Sequence, residues 1–339
     1  MSTIAPDALE HAASLRGQAG WLITDGKIGM DVQVRGVADA LGLASEMKHV
    51  NPTGIHKLLS PWLPPAPRER IGAGGAISPP WPAIVIATGR QSIPYLRKVR
   101  RLTNGQTYSV ILQDPKTGGR SADLIWVPSH DRLRGPNVIT TPTAPHSFTQ
   151  ARLASMRANV PPDIAALPHP RVAVMLGGAT SEYPYSDACH RRLADALQSL
   201  ARLGASFMIT PSRRTHKELI AVVDAATTSA PRILWTGTGP NPYADFLAHA
   251  DAVIPTADSV NMTSEAAATG KPVYVFMPDG GSPKFNRFHS ALGAHGATRQ
   301  LPDRLAALEA WVYEPLDAGR TIAAEIERRW RIAHARFGH

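Results

Sequence analysis

Short, unbroken apolar runs recur along this chain, and that recurrence narrows the fold more than any other feature. Each run ends in a glycine-rich or polar turn and hands over to residues at helical spacing. In the first half the runs occupy residues 20–24, 83–87, 108–112 and 123–127, with a shorter one at 138–139. Apolar runs without polar alternation mark strands covered on both faces, as in parallel sheets whose crossovers are helices. After the first run, Val34, Val37, Ala38 and Leu41 follow helical steps, and Gly42 closes that helix. A basic helix ending at Leu102 follows the second. In the second half, strands are expected at 171–176, 205–210, 232–235, 252–255 and 272–276. Helices are expected between them at 187–203, 215–228, 243–249 and 259–269. Beyond Gly280 the pattern is mostly helical, ending in a helix over 316–337.

The fold class that follows is α/β, with two Rossmann-like parallel-sheet domains facing a central cleft. The expected boundaries are a tail at 1–19, a first domain at 20–145, a linker at 146–170 and a second domain at 171–314. The linker is assigned from its proline content, Pro161, Pro162, Pro168 and Pro170. Residues 315–339 form a C-terminal helix, a candidate to cross back onto the first domain. Residues 51–82 are dense in proline and glycine, including Gly72, Gly74 and Gly75, and read as a long irregular segment.

Several classes are set aside by composition. The lone cysteine, Cys189, excludes a disulfide framework and a cysteine metal site within one chain. The thirteen histidines are spread singly, so no metal site is expected. No window has the length and apolarity of a membrane span, and residues 1–20 do not read as a secretory signal. A cytoplasmic protein, peripheral at the inner membrane face, is the expectation. The net charge of +9 favours anionic partners. Its densest groups are Arg97-Lys98 with Arg100-Arg101, Arg213-Arg214, and Arg328-Arg329 with Arg331. The first and third read as solvated helix faces. Without an aromatic–basic stripe or a zinc-finger module, no nucleic-acid partner is expected.

The stretch 256–272 is the most specific for chemistry. It leaves a strand end and enters a helix rich in small residues. A helix N-terminus offers unpaired N–H groups and a positive dipole end, which suit a diphosphate. Ser259, Asn261, Thr263 and Ser264 add short polar groups there, and Glu265 is suited to vicinal ribose hydroxyls. The alternative is that Asp258 or Ser259 caps the helix and Glu265 is a surface residue. Arg213 and Arg214 follow another strand and could clamp a diphosphate with forked hydrogen bonds. Gly177 and Gly178, after the first strand of that domain, would admit a ligand to the backbone or form a plain turn. In the first domain Lys27 and Arg90 end strands on the acceptor side. Asp25, Asp114 and His130 are the candidates for a general base, and the residues do not choose among them.

The motifs in order are LITDGKxG at 22–29, QDP at 113–115, PxHD at 128–131, LGG at 176–178, SRRT at 212–215 and NPY at 241–243. They continue with TADS at 256–259, SEAxATGKPVYVF at 264–276, KF at 284–285 and RFH at 287–289. In this order the chain resembles the mitochondrial-fission Elm-type family. The resemblance implies a fold similar to glycosyltransferase-B enzymes, with Glu265 at a ribose, Ser259, Thr263 and Ser264 near a diphosphate, and Arg213 or Arg214 beside it. Plant members of the family are linked to fission through recruitment of a dynamin-like protein. The family's first loop reads DGKxGHxNQ. Here Met30 stands at the histidine position and Val32 at the asparagine position, while Gln33 is kept. Pro240 stands where glutamate is expected.

Two functions follow from the resemblance. One is a metal-independent transferase with a nucleotide-diphosphate sugar as co-substrate, no other cofactor, and a lipid-linked or membrane-associated acceptor. The other is a non-catalytic scaffold that recruits a partner at a membrane.

Overall fold

The computed structural model describes residues 14–72 and 74–335. The sequence expectations at 1–13, Ala73 and 336–339, including the end of the last helix, lie outside the described residues. The chain divides into two compact units. One comprises Met1–Ser147 with Ala318–His339, and the other Phe148–Asp317.

The first unit is built from β1 (Ala19–Thr24), α1 (Ile28–Leu41), β2 (Ala44–His49), α2 (Gly54–Leu58), β3 (Ile84–Thr88), α3 (Ile93–Leu102), β4 (Tyr108–Leu112), β5 (Leu124–Pro128) and β6 (Val138–Thr141). Its six strands run parallel in the order β2-β1-β3-β4-β5-β6. One face of the sheet buries Trp21, Ile23, Val85 and Ile111 against Ile93, Leu96 and Val99 of α3. On α1, Val34, Val37, Ala38 and Leu41 are buried, and Gly42 ends the helix at φ 67°, a left-handed value that glycine adopts without strain.

The second unit continues with α4 (Gln150–Arg157), α5 (Pro162–Ala165), β7 (Arg171–Leu176), α6 (Asp187–Arg202), β8 (Ser206–Pro211), α7 (Lys217–Thr227), β9 (Arg232–Leu234), α8 (Tyr243–His249), β10 (Ala252–Pro255), α9 (Val260–Ala268), β11 (Val273–Val275), α10 (Pro283–Ala294) and β12 (Thr298–Gln300). Its sheet is also six-stranded and parallel, in the order β12-β11-β10-β7-β8-β9. Alternation along β7 sorts the core. Val172, Val174 and Leu176 pack with Leu193, Leu197 and Val223 of α6 and α7. Ala173 and Met175 face the other way, toward Leu153, Phe246, Leu247 and Ala266.

Three regions differ from the sequence reading. β2 has no apolar run; it is an edge strand with Ala44, Ser45, Glu46 and His49 exposed, so it lacks the burial that marks the others. The stretch 146–170, read as a linker with a helix near 150–159, carries that helix as α4 and a further one, α5, and its Leu153, Ile164 and Leu167 are buried in the second unit's core. The segment after Gly280 is less helical than expected, because β12 adds an edge strand and 301–317 has no helix. The last helix, read from the sequence as a candidate to cross back, is α11 (Ala318–Ala335) and contacts α1 and β6 of the first unit.

Candidate functional site

In each sheet the strand order reverses beside the first strand of the unit. The first unit proceeds from β1 outward to β2 and then from β3 the other way, so its reversal lies between β1 and β3. The second has its reversal between β7 and β10. Diverging connections leave a crevice beyond the strand ends at such a point.

At the second unit's reversal, Asp258 follows β10 and is fully buried. Its carboxylate accepts from the Gly178 amide at 3.0 Å, the Tyr185 hydroxyl at 3.0 Å, the Thr256 hydroxyl at 2.6 Å and the Arg214 guanidinium at 3.2 Å. A buried charge needs this number of donors to offset its lost hydration. The Gly177 amide donates to the Thr256 hydroxyl at 2.8 Å. A Cβ on Gly177 would fall 2.1 Å from the Asp258 carboxylate, and one on Gly178 would fall 2.1 Å from the Arg214 carbonyl. The two glycines therefore make room for Asp258 and for the 212–215 loop, and their amides already have acceptors. That loop is latched to the end of β7 by the Thr215 hydroxyl, which donates to the Leu176 carbonyl at 2.9 Å.

Helix α7 starts at Lys217, so both arginines precede it in the loop rather than opening the helix. Arg213 is exposed and has no ion-pair partner among the described residues. Ser259, not Asp258, caps α9, its hydroxyl accepting from the Met262 amide at 3.3 Å. Thr263 and Ser264 turn inward and are fully buried, with the Thr263 hydroxyl donating to the Ser259 carbonyl at 3.1 Å. Of the small polar residues at this end, Ser259 and Asn261 remain half-buried at the surface. Glu265 is likewise half-buried and accepts from the Tyr243 hydroxyl. Burial pushes its carboxyl up to about 7, against the opposing effects of the Tyr243 bond and the Arg152 charge. Phe148 lies 6.2 Å from the Tyr243 ring, and the Arg152 guanidinium lies 5.1 Å over Phe148.

Tyr243, Tyr185, Thr256 and His289 carry no assigned role in the sequence reading. His289 Nε2 lies 3.0 Å from the Ala257 carbonyl, and burial lowers its pKa. Tyr243 and His289 lie in the NPY and RFH motifs, a signal that marks them without saying what they touch.

At the first unit's reversal, Asp25 is 6% exposed. One oxygen meets the Lys27 ammonium at 2.6 Å; the other, Oδ1, is buried with no hydrogen-bond partner among the described residues. Met30 lies against the same point. A Cβ on Gly89 would fall 2.6 Å from the Met30 sulfur and 3.7 Å from the Asp25 carboxyl carbon. Thr24 donates to Asp31 at 2.5 Å, and His49 meets the other Asp31 oxygen at 3.0 Å. Gln113, at the end of β4, has φ 79° and donates to Gln33 of α1 at 2.9 Å. Of the remaining candidates, Asp114 accepts from the Lys116 amide and ammonium at 2.9 and 2.7 Å. His130 is buried. Arg90 is exposed, its guanidinium 3.5 Å from the Lys57 carbonyl.

The sequence profile of the family "Mitochondrial fission ELM1" matches residues 28–330. The chain belongs to that family. Among its relatives, the mitochondrial fission protein ELM1 of Arabidopsis thaliana is 31% identical over 271 residues, covering 73% of this chain and 64% of the plant protein. Uncharacterized protein RP120 of Rickettsia prowazekii (strain Madrid E) is 30% identical over 169 residues, 47% of each chain. The match thus spans less than two thirds of either relative. Among solved structures, the UDP-GlcNAc 2-epimerase from Methanocaldococcus jannaschii is similar with a TM-score of 0.53 at 10% identity, covering 94% of this chain and 99% of that one. MurG from Acinetobacter baumannii matches with a TM-score of 0.49 at 14% identity, over 94% and 92%. At such identities it is the fold that is shared, the glycosyltransferase-B type with two six-stranded parallel sheets. Among the described residues no helix is long and apolar enough to cross a membrane. Nor does any group of three or more His, Cys, Asp and Glu among them form a cluster able to hold a metal ion.

Proposed function

We propose that the second unit binds a nucleoside diphosphate, as carried by a nucleotide sugar, beyond the ends of β7, β8 and β10. The observation that carries this reading is the Arg214–Asp258 contact. It brings the two-arginine loop to the residue just before the α9 cap, at the strand-order reversal. The Arg214 charge is partly answered by Asp258, which leaves Arg213 as the free guanidinium for a phosphate fork. The amino end of α9 adds N–H groups and dipole. Glu265 lies five residues beyond Val260, on the order of 8 Å along the helix, and its carboxylate suits a ribose diol. The epimerase that shares the fold is named for a UDP-sugar, which agrees with this ligand class.

In transfer, the bond from the sugar carbon to the diphosphate oxygen breaks, an acceptor oxygen bonds to that carbon, and the acceptor proton goes to a base. Arg213 and the helix end stabilise the departing diphosphate without a metal. Asp25, Asp114 and His130 stay the candidate bases; Asp25 pairs with Lys27 through one oxygen and keeps the other, Oδ1, without a hydrogen-bond partner among the described residues.

The test is a thermal shift with UDP, GDP, ADP and CMP, with UMP as the control for the second phosphate. A diphosphate at a hundred times its Kd adds about 2.7 kcal/mol. Arg213→Ala should weaken that binding about tenfold, the loss of one charge-assisted contact, with the ligand-free melting temperature unchanged. No shift with any nucleotide would sink the reading.

A second reading, the non-catalytic scaffold recruiting a partner at a membrane, is favoured by one observation. Met30 presses a thioether on Gly89 where the family pattern has an ionisable imidazole. Nucleotide binding without turnover on any acceptor would support it.

A further inference from the structure

We infer that the first unit carries a docking surface for an anionic lipid membrane, formed by α2, the turn after it and the basic face of α3. Four of the exposed large apolar side chains fall within eight residues: Ile55 is 61% exposed, Leu58 70%, Leu59 39% and Trp62 60%. Exposed apolar residues scattered singly need no explanation, but a run of four on one short segment does. The segment is held in place, not frayed. His56 Nδ1 meets the Pro64 carbonyl at 2.8 Å, the Ser60 hydroxyl donates to the His56 carbonyl at 2.7 Å, and Arg68 bonds Thr53.

Directly beyond it the surface becomes cationic. Leu63, Pro64 and Pro65 line a depression of about 150 Å³ with Arg97, Lys98 and Arg101. Arg97 and Arg101 also line the next depression, about 370 Å³, together with Arg100 and Arg120. No carboxylate lines either one. Arg100 is bound to Asp123 at 2.7 Å. Arg97, Lys98, Arg101 and Arg120 have no carboxylate partner among the described residues.

Apolar side chains beside unpaired cations match the two layers of a lipid surface, acyl chains and anionic headgroups. Trp62 suits the boundary between them, its ring apolar and its N–H polar. A second copy of the chain is a poorer occupant, because a twofold pairing would set this cationic face against itself. The surface is built from residues of the first unit and does not depend on the nucleotide reading.

Co-sedimentation of the full chain with vesicles tests this, using mixed phosphatidylcholine–phosphatidylglycerol vesicles and phosphatidylcholine alone. Binding is expected to the mixed vesicles and to fall with added salt. Leu58→Ser with Trp62→Ser should weaken it by tenfold or more, from the lost apolar burial. Arg97→Gln with Arg101→Gln should weaken it about twenty-five-fold, at roughly fivefold per cation. Thermal melts matching wild type show that the variants fold, as expected for positions outside the core. Equal binding to uncharged vesicles, or either double variant binding as wild type does, overturns the inference. So does release by inorganic phosphate at low concentration, which would make the arginines a site for a soluble anion. Self-association lost on changing Leu58 and Trp62, without vesicle binding, would assign the face to a second copy and overturn it as well.

Discussion

The two strand-order reversals have the same topology but are filled in opposite ways. In the second unit the crevice holds a buried carboxylate, Asp258, met by donors from four separate residues. The first unit's crevice holds Asp25 with a single exposed lysine on one oxygen and no hydrogen-bond partner on the other among the described residues, the Met30 thioether and the Asp25 carboxyl both lying beside Gly89. One arrangement is a structural keystone that orients a cationic loop. The other is an under-satisfied group of the kind that persists where a partner or a reaction uses it. Topology therefore marks where a site can be, while the donors around each carboxylate decide whether it stabilises the fold or remains available for chemistry.

The largest effect expected from this contrast is on stability. Asp258→Ala should lower the free energy of unfolding by about 3–5 kcal/mol, since it leaves a cluster of buried donors and the Arg214 charge without their acceptor. Asp25→Ala should change it by less than about 1 kcal/mol, because its partner Lys27 is solvent-exposed and a buried, unpaired oxygen is removed with it. Urea unfolding of both variants measures the difference, and equal losses would break the comparison.

Gly177→Ala comes next. Its Cβ would overlap the Asp258 carboxylate, so a loss of about 2–3 kcal/mol is expected from forced repacking. Gly26→Ala, whose Cβ meets nothing closer than 3.9 Å, should lose about 1–2 kcal/mol, from its left-handed backbone alone. Melting temperatures of the two variants rank them.

Glu265 sharpens the comparison through pH. Its folded pKa of about 7 lies above the ordinary 4.5, so the folded state holds a proton that the unfolded chain releases. The associated stability is present below 4.5 and is lost as pH rises through about 7. The change is on the order of 2 kcal/mol. Glu265→Gln should flatten this dependence in a melting-temperature series. A ribose diol prefers the ionised carboxylate, so nucleoside affinity should rise with pH over the same range and stop doing so in the variant.

Met30→His is expected to have the smallest effect. An imidazole there can reach the free Asp25 oxygen, which raises the histidine pKa. The gain, about 0.5 kcal/mol, is present below the ordinary histidine pKa and lost as pH rises through the raised one. An NMR titration of that imidazole follows it; a pKa at or below the ordinary value would show that the carboxylate is out of reach.

Much of the fold was legible because a parallel strand buried on both faces leaves an unbroken apolar run, as at 108–112 and 171–176, which became β4 and β7. The edge strands β2 and β12 left no such trace, since half their surface faces water. At the candidate site, SRRT and TADS could be assigned to strand ends and to charge. That Thr215 latches one to β7, and that Arg214 falls on Asp258, depends on contacts between residues 38 to 44 positions apart. The inward turn of Thr263 and Ser264 was equally hidden, because a short hydroxyl residue reads alike on either face of a helix.

By itself, then, the sequence determined the alternation of elements, the two parallel sheets and the family, because each rests on local periodicity and on residue order. Only the tertiary structure decided which carboxylate is satisfied and which keeps an unpaired oxygen, and that Arg214 falls on Asp258 and Tyr243 on Glu265. Those properties come from distance and desolvation among residues remote in the chain, and no local pattern records them.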